Sequence, residues 1–106
     1  MTTAQSVGDS GAALLAVLRV VGRSPEYAGT VRAWAAQVLI DSGRVVDAYA
    51  WGEAVRHLRG NGILIESTRG QTTWRLGADP LEVSTVGWPD DGAAKVLRSA
   101  GLGRVA

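Results

Sequence analysis

The pattern that most restricts the fold of this chain is a predicted helix that ends at two glycines and is followed at once by two short strands. Apolar side chains recur with helical spacing over residues 48–59, and the Gly-Asn-Gly stretch that follows ends the helix. The β-branched segment 63–68 predicts one strand and residues 72–76 predict a second, with residues 69–71 as the tight turn between them. The sequence therefore predicts a helix that leads directly into a β-hairpin.

The helix predicted over residues 48–59 has two different faces. At 100° per residue, Trp51 lies within about 20° of Leu58, which indicates a face that is buried in the core. His57 and Arg59 lie on the two shoulders of the helix. The face opposite Leu58 is small and polar, and carries Tyr49, Gly52, Glu53 and Arg56.

Apolar periodicity predicts further helices before this one. The first begins near Asp9 or Ser10 and is apolar around most of its circumference, at positions 14, 15, 17, 18, 20 and 21. Residues 24–26, with Pro25 at the first helical position, predict another helix start that Gly29 interrupts. A helix then restarts at Thr30 and continues to about residue 41, with Val31, Trp34, Ala35, Val38 and Leu39 on one face.

The C-terminal part of the chain has a weaker pattern. Residues 81–86 predict a strand with little alternation, residues 91–100 predict a short helix, and the rest reads as a loose tail. These boundaries divide the chain into a flexible N-terminal arm over 1–9, one folded domain over 10–77 and a C-terminal extension over 78–106.

Composition excludes several classes of site. The chain has no cysteine and one histidine, so disulfides, thiolate nucleophiles and Cys- or His-rich metal centres are not expected. No nucleophile elbow and no phosphate-binding Gly loop is present, which argues against an enzyme. The longest apolar run, 12–18, is too short to span a membrane, and no signal peptide is visible. We expect a cytoplasmic protein without catalytic residues, metal, cofactor or small-molecule ligand.

The order of helices followed by a β-hairpin resembles the winged helix-turn-helix family. The resemblance covers about residues 10–77, and its most specific part is the stretch from Ala54 to Leu64: an apolar residue, a variable pair, Leu, a short polar stretch, Gly and an apolar strand. It implies an α+β, mainly α fold: a three-helix winged helix-turn-helix with a two-stranded wing and a short C-terminal extension. The stretch 30–47 is longer than in many bacterial repressors, which leaves the angle between the helices open.

The same resemblance implies binding of double-stranded DNA by a small transcriptional regulator. The helix over 48–59 would read the major groove, where Arg pairs with guanine and Glu accepts from cytosine. The wing would contact the backbone or the minor groove, and basic residues do outnumber acidic ones between 44 and 75. The expected DNA-binding residues are Tyr49, Gly52, Glu53, Arg56, His57, Arg59, Arg69, Gln71 and Arg44.

Two alternatives stay open at this level. The polar face of this helix is equally typical of a surface that is only exposed to solvent. Glu53 and Arg56 are spaced i,i+3, so their charges can neutralise each other. A winged helix can also serve as a protein-binding module, for instance in a phage-encoded factor that binds a host protein or a replication component.

The apolar first helix and the apolar residues after Gly77 predict a homodimer, which would match a palindromic DNA site. The alternative is that the C-terminal segment folds back and covers the first helix within one chain. Ten of the eleven basic residues are Arg, and Ala and Gly are abundant. This usage is typical of GC-rich bacteria and their phages.

Overall fold

A computed structural model describes residues 4–80 and 87–101. These residues form a mainly helical α+β fold with four helices and a three-stranded antiparallel sheet, so the predicted fold class is confirmed at this level. In chain order the elements are α1 (Ala4–Val21), β1 (Glu26–Tyr27), α2 (Ala28–Asp41), α3 (Ala50–Gly60), β2 (Leu64–Ser67), β3 (Thr73–Leu76) and α4 (Trp88–Ser99).

Helix α1 is the centre of the molecule. It packs against α2, α3 and α4, which explains why its apolar residues surround most of its circumference. Leu14, Leu15 and Leu18 are completely buried. The helix begins at Ala4, inside the segment expected to be a flexible arm, and Gly8 interrupts it with a left-handed φ of 64°. The regular part therefore starts at Asp9, where the sequence predicts a helix start.

The segment before α2 differs from the prediction. The helix start expected at residues 24–26 is wrong, because Glu26 and Tyr27 form strand β1 and pair with Trp74 and Thr73 of β3. The hairpin leaves one edge of β3 unpaired, and the extended chain between α1 and α2 satisfies that edge. The predicted interruption at Gly29 is also wrong, since α2 runs through it.

The β-hairpin forms as predicted, with slightly shorter strands. Strand β2 pairs with β3 in the antiparallel register Leu64↔Leu76 to Ser67↔Thr73, and β3 lies in the middle of the sheet. The five residues between the strands form an exposed tip. Gly70 adopts a left-handed φ of 71° in this tip, a conformation that costs glycine little.

The core contains the residues predicted for it. Leu39, Trp51 and Leu58 are buried in one cluster, as expected from the helical faces of α2 and α3. Trp74 of β3 is buried in the same cluster, and Trp34 is half-buried against it.

Helix α4 completes the core from within the chain. It starts at Trp88, earlier than predicted, with Pro89 in its first turn. It buries Ala93, Val96 and Leu97 and packs against α1 and α2. This is the folded-back arrangement, so α1 presents little of the apolar surface from which a homodimer was predicted. The strand predicted over 81–86 lies outside the described residues.

Candidate functional site

The two faces of α3 are divided as the sequence predicts. Trp51, Ala54 and Leu58 point into the core and are buried. The residues on the opposite face are exposed, namely Tyr49, Gly52, Glu53 and Arg56. No element of the described chain covers this face, so it is available to a partner.

The first turn of α3 is set by Asp47. Its carboxylate oxygen Oδ1 accepts a hydrogen bond from the backbone N–H of Tyr49 (3.0 Å), and its backbone carbonyl accepts one from Ala50 (3.0 Å). Asp47 thus stabilises the turn before the helix, but the sequence-based prediction that Asp47 is the N-cap residue is wrong, because α3 begins at Ala50 rather than at residue 48. Tyr49 occupies the N-cap position with 92% of its surface exposed.

Gly52 is not required by the packing of this chain. It is exposed on the first turn of α3, and a Cβ atom added there would meet nothing within 4 Å. Glycine inside a helix costs about 1 kcal/mol relative to alanine. No contact within the described residues explains this cost.

Glu53 and Arg56 form an ion pair on the exposed face. Their closest side-chain atoms are 3.0 Å apart, and the two side chains are 73% and 75% exposed. Such a solvated pair contributes about 0–1 kcal/mol to stability. Breaking this ion pair to bind a partner would therefore cost little free energy.

A second ion pair joins α3 to the sheet. Arg59 Nη1 lies 2.6 Å from Glu66 Oε1 on β2, and the glutamate is the less exposed of the two. Glu66 lies opposite Trp74 in the register of the sheet, on the face that also carries Leu64. The pair thus links the C-terminal end of α3 to strand β2.

An open cleft of about 370 Å³ lies between α3, α2 and the sheet. Val55 and the two indole side chains of Trp51 and Trp74 contribute its apolar lining. Its charged lining residues are three arginines and one glutamate, namely Arg32, Arg56, Arg59 and Glu66. The lining therefore has more basic than acidic residues, and Arg56 and Arg59 are engaged in ion pairs with Glu53 and Glu66.

Arg32 is a site residue that the sequence did not single out. It lies on the exposed side of α2, and it makes no ion pair within residues 4–80 and 87–101. Its position at the cleft depends on how α2 packs beside α3 and the sheet. The only sequence signal is a single Arg on the polar face of α2.

Two buried side-chain nitrogens of the described residues have no hydrogen-bond partner: Nε2 of His57 and Nε1 of Trp74. Trp74 lines the cleft, whereas His57 projects from the other shoulder of α3, since residues 57 and 59 lie about 160° apart around a helix. A buried donor without an acceptor lowers stability by about 1–3 kcal/mol. His57 is half-buried and is not among the residues that line the cleft.

The other predicted site residues fall into two places. Arg69 and Gln71 are exposed at the tip of the hairpin, as predicted. Arg44 lies elsewhere: its guanidinium is 3.9 Å from the centroid of the Trp88 ring, and its Nε is 3.7 Å from Asp9 Oδ2. The structure therefore brings Arg56 and Arg59 together with Arg32, and engages Arg44 with α1 and α4.

Comparisons with known proteins return no match: no family model, no curated protein and no solved structure is similar to this chain. Within the described residues, no group of three His, Asp or Glu side chains is placed to hold a metal ion. None of the helices in this part of the chain combines the length and apolar character of a membrane span.

Proposed function

We propose that this chain is a winged helix-turn-helix protein that binds double-stranded DNA and regulates transcription. In this proposal α3 lies in the major groove and the tip of the β2–β3 hairpin contacts the backbone. One observation carries the proposal: three arginines, Arg32, Arg56 and Arg59, line one cleft beside an exposed helix face.

The order of the elements supports the winged-helix assignment. Three helices precede the hairpin, and the third of them leads into it through a short Gly-containing turn. The short strand β1 between the first two helices adds to the hairpin on the β3 side. Helix α3 lies next to the hairpin, and the Arg59–Glu66 ion pair connects α3 to β2.

The charges suit a polyanionic partner. Arg32, Arg56, Arg59 and Arg69 surround α3 and the hairpin tip, against the carboxylates of Asp47, Glu53 and Glu66. Guanidinium groups match phosphate geometry, and neutralising phosphates releases counterions. We therefore expect an affinity for duplex DNA that falls steeply with salt.

The exposed face of α3 suits the edges of bases. Arg56 can bond to O6 and N7 of guanine, and Glu53 can accept from N4 of cytosine. Their ion pair is solvated, so separating it on binding costs little. Gly52, on the same face, leaves space for a close approach of the partner.

A protein partner is the second candidate, and exposed apolar residues favour it. Ile40 at the end of α2 and Val45 in the following loop are 57% and 83% exposed. Large exposed apolar patches often mark protein interaction sites, and these residues would contribute to one. Binding to a protein through these residues would depend little on salt, whereas DNA binding would depend on it strongly.

The test is fluorescence anisotropy with a random-sequence duplex at several salt concentrations. The parent should bind with a slope of log K against log salt of about −0.9 per phosphate neutralised. Arg32→Gln should make that slope less steep by about one phosphate contact. The matched control is Arg98→Gln, which removes the same charge from the exposed side of α4 and should leave the slope unchanged.

Two results would contradict the proposal. One is a parent that binds no duplex even at low salt. The other is a parent whose binding responds equally to the substitutions at Arg32 and Arg98, since general charge and not the cleft would then govern binding.

A further inference from the structure

The N-terminal end of α3 presents apolar side chains to solvent. Tyr49 is 92% exposed, and Val45, four residues earlier in the loop, is 83% exposed. The hydrogen bond from the Tyr49 backbone to Asp47 holds the turn between them. Fully burying a side chain of this size contributes about 1.5–3 kcal/mol, and the described chain leaves that gain unused here.

Tyr49 extends the polar face of α3 toward the N-terminal end of the helix. Tyr49, Gly52 and Arg56 are at positions i, i+3 and i+7, which lie on one side of a helix. The face therefore changes from apolar at the start of the helix to charged two turns later. A partner that fits it offers apolar groups at one end and hydrogen-bonding groups at the other.

We infer that Tyr49 contacts the C5-methyl group of a thymine in the major groove. The inference rests on the proposed function, because it requires α3 to lie in that groove. The thymine methyl is the only apolar group that a base pair displays there, beside the donors and acceptors that Arg56 would bind. A major groove thus offers both of the chemistries that the face requires.

The geometry of the helix also fixes a spacing. Tyr49 and Arg56 are seven residues apart, which is about 10.5 Å along the helix axis. At about 3.4 Å per base step along the DNA axis, this corresponds to at most roughly three base pairs, the value for a helix axis parallel to the DNA axis. The preferred DNA site should therefore contain a thymine and a guanine at most about three base pairs apart.

The experiment begins by selecting duplexes from a random library with the parent protein. Each thymine of the selected site is then replaced in turn by deoxyuridine, which removes only the methyl group. For the parent, we expect one or two of these replacements to weaken binding about fourfold, the effect of one buried methyl. A guanine should lie within about three base pairs of the sensitive thymine.

Variants assign the effect to Tyr49. Tyr49→Phe keeps the ring and should keep the sensitivity to deoxyuridine, whereas Tyr49→Ala should bind thymine and deoxyuridine sites equally. Tyr27→Ala removes another exposed tyrosine, on β1, and should behave as the parent. Both positions are exposed, so the three variants are expected to fold.

The outcomes separate the two proposals. If the parent selects a duplex but no deoxyuridine replacement weakens binding, or if Tyr49→Ala retains the sensitivity, the methyl inference is overturned while DNA binding stands. If the parent selects no duplex, the proposed function fails and this inference fails with it. The exposed apolar residues would then belong to a protein interface.

Discussion

The guanidinium of Arg44 lies over the indole ring of Trp88, with its central carbon 3.9 Å from the ring centroid. The contact joins the loop before α3 to the first residue of α4, which are 44 residues apart in the sequence. Such a cation–π contact contributes about 0.5–2 kcal/mol, depending on how far it is desolvated. Arg44 was expected to contact DNA; in the structure it also stabilises the position of the loop that precedes α3.

A double-mutant cycle measures this contact. Arg44→Met and Trp88→Leu each keep an apolar side chain, and their combined effect on the free energy of unfolding should reveal a coupling of about 0.5–2 kcal/mol. Urea denaturation of the parent, both single variants and the double variant gives the value. The control cycle pairs Arg44→Met with Asp9→Asn, where the exposed, longer ion pair should couple weakly. Equal coupling in both cycles would contradict the assignment.

The second prediction contrasts two aromatic residues two positions apart. Trp51→Ala should lower the free energy of unfolding by about 3–5 kcal/mol, because it leaves a cavity between α3 and the core. Tyr49→Ala should change it by no more than about 0.5 kcal/mol, because Tyr49 is exposed. Chemical denaturation of both variants tests the assignment of the faces of α3. A nearly neutral Trp51→Ala would show that the faces are reversed.

The elements that the sequence predicted are those with local signals. The faces of α3 follow from a 3.6-residue period, and the hairpin follows from β-branched residues with a Gly-containing turn between them. Strand β1 has no such signal: Glu26 and Tyr27 follow a proline and are too short for a period. They are extended because β3 has an edge to satisfy, which is a tertiary cause.

The sequence predicted only those parts of the candidate site that a single helix or hairpin determines. The exposed face of α3 and the hairpin tip with Arg69 follow from the sequence. Arg32 also lines the cleft, but it belongs to α2 and lies near α3 only because the two helices pack in the same fold. In the same way, the position of Arg44 depends on Trp88, and nothing in the sequence pairs these two residues.

The third prediction concerns Gly52, for which stability and binding should change in opposite directions. Gly52→Ala should raise the free energy of unfolding by up to about 1 kcal/mol, because the added Cβ meets nothing and alanine favours the helix. The same variant should bind its selected duplex more weakly, because the methyl group occupies the space left for the partner. Gly60→Ala, at the last residue of α3 and outside the cleft, is the control and should leave binding unchanged.

Thermal denaturation and anisotropy on the same preparations would decide this prediction. A Gly52→Ala variant that is more stable and binds DNA as tightly as the parent would show that no partner approaches this position closely.

The fourth prediction tests whether α4 belongs to the fold of a single chain. Leu97 is completely buried, so Leu97→Ala should lower the free energy of unfolding by about 2–5 kcal/mol. If α4 packs within one chain, that loss is independent of protein concentration, whereas a subunit interface makes stability depend on concentration. Thermal denaturation at two widely separated concentrations distinguishes the two, and Lys95→Ala on the exposed side of α4 is the control. Light scattering on the parent tests the homodimer, which stays a prediction.

The last prediction separates base recognition from backbone contact. Arg56 lies on the exposed face of α3, and Arg69 lies at the tip of the hairpin. Arg56→Ala should weaken binding to the selected duplex by about 1–3 kcal/mol and relax the choice of base at one position. Arg69→Ala should weaken selected and random duplexes about equally and reduce the salt slope by roughly one. Titrations of both variants on both duplexes at several salt concentrations provide the comparison. If Arg56→Ala weakened both duplexes equally, Arg56 would be a phosphate contact, and the specificity would have to come from other residues of the face.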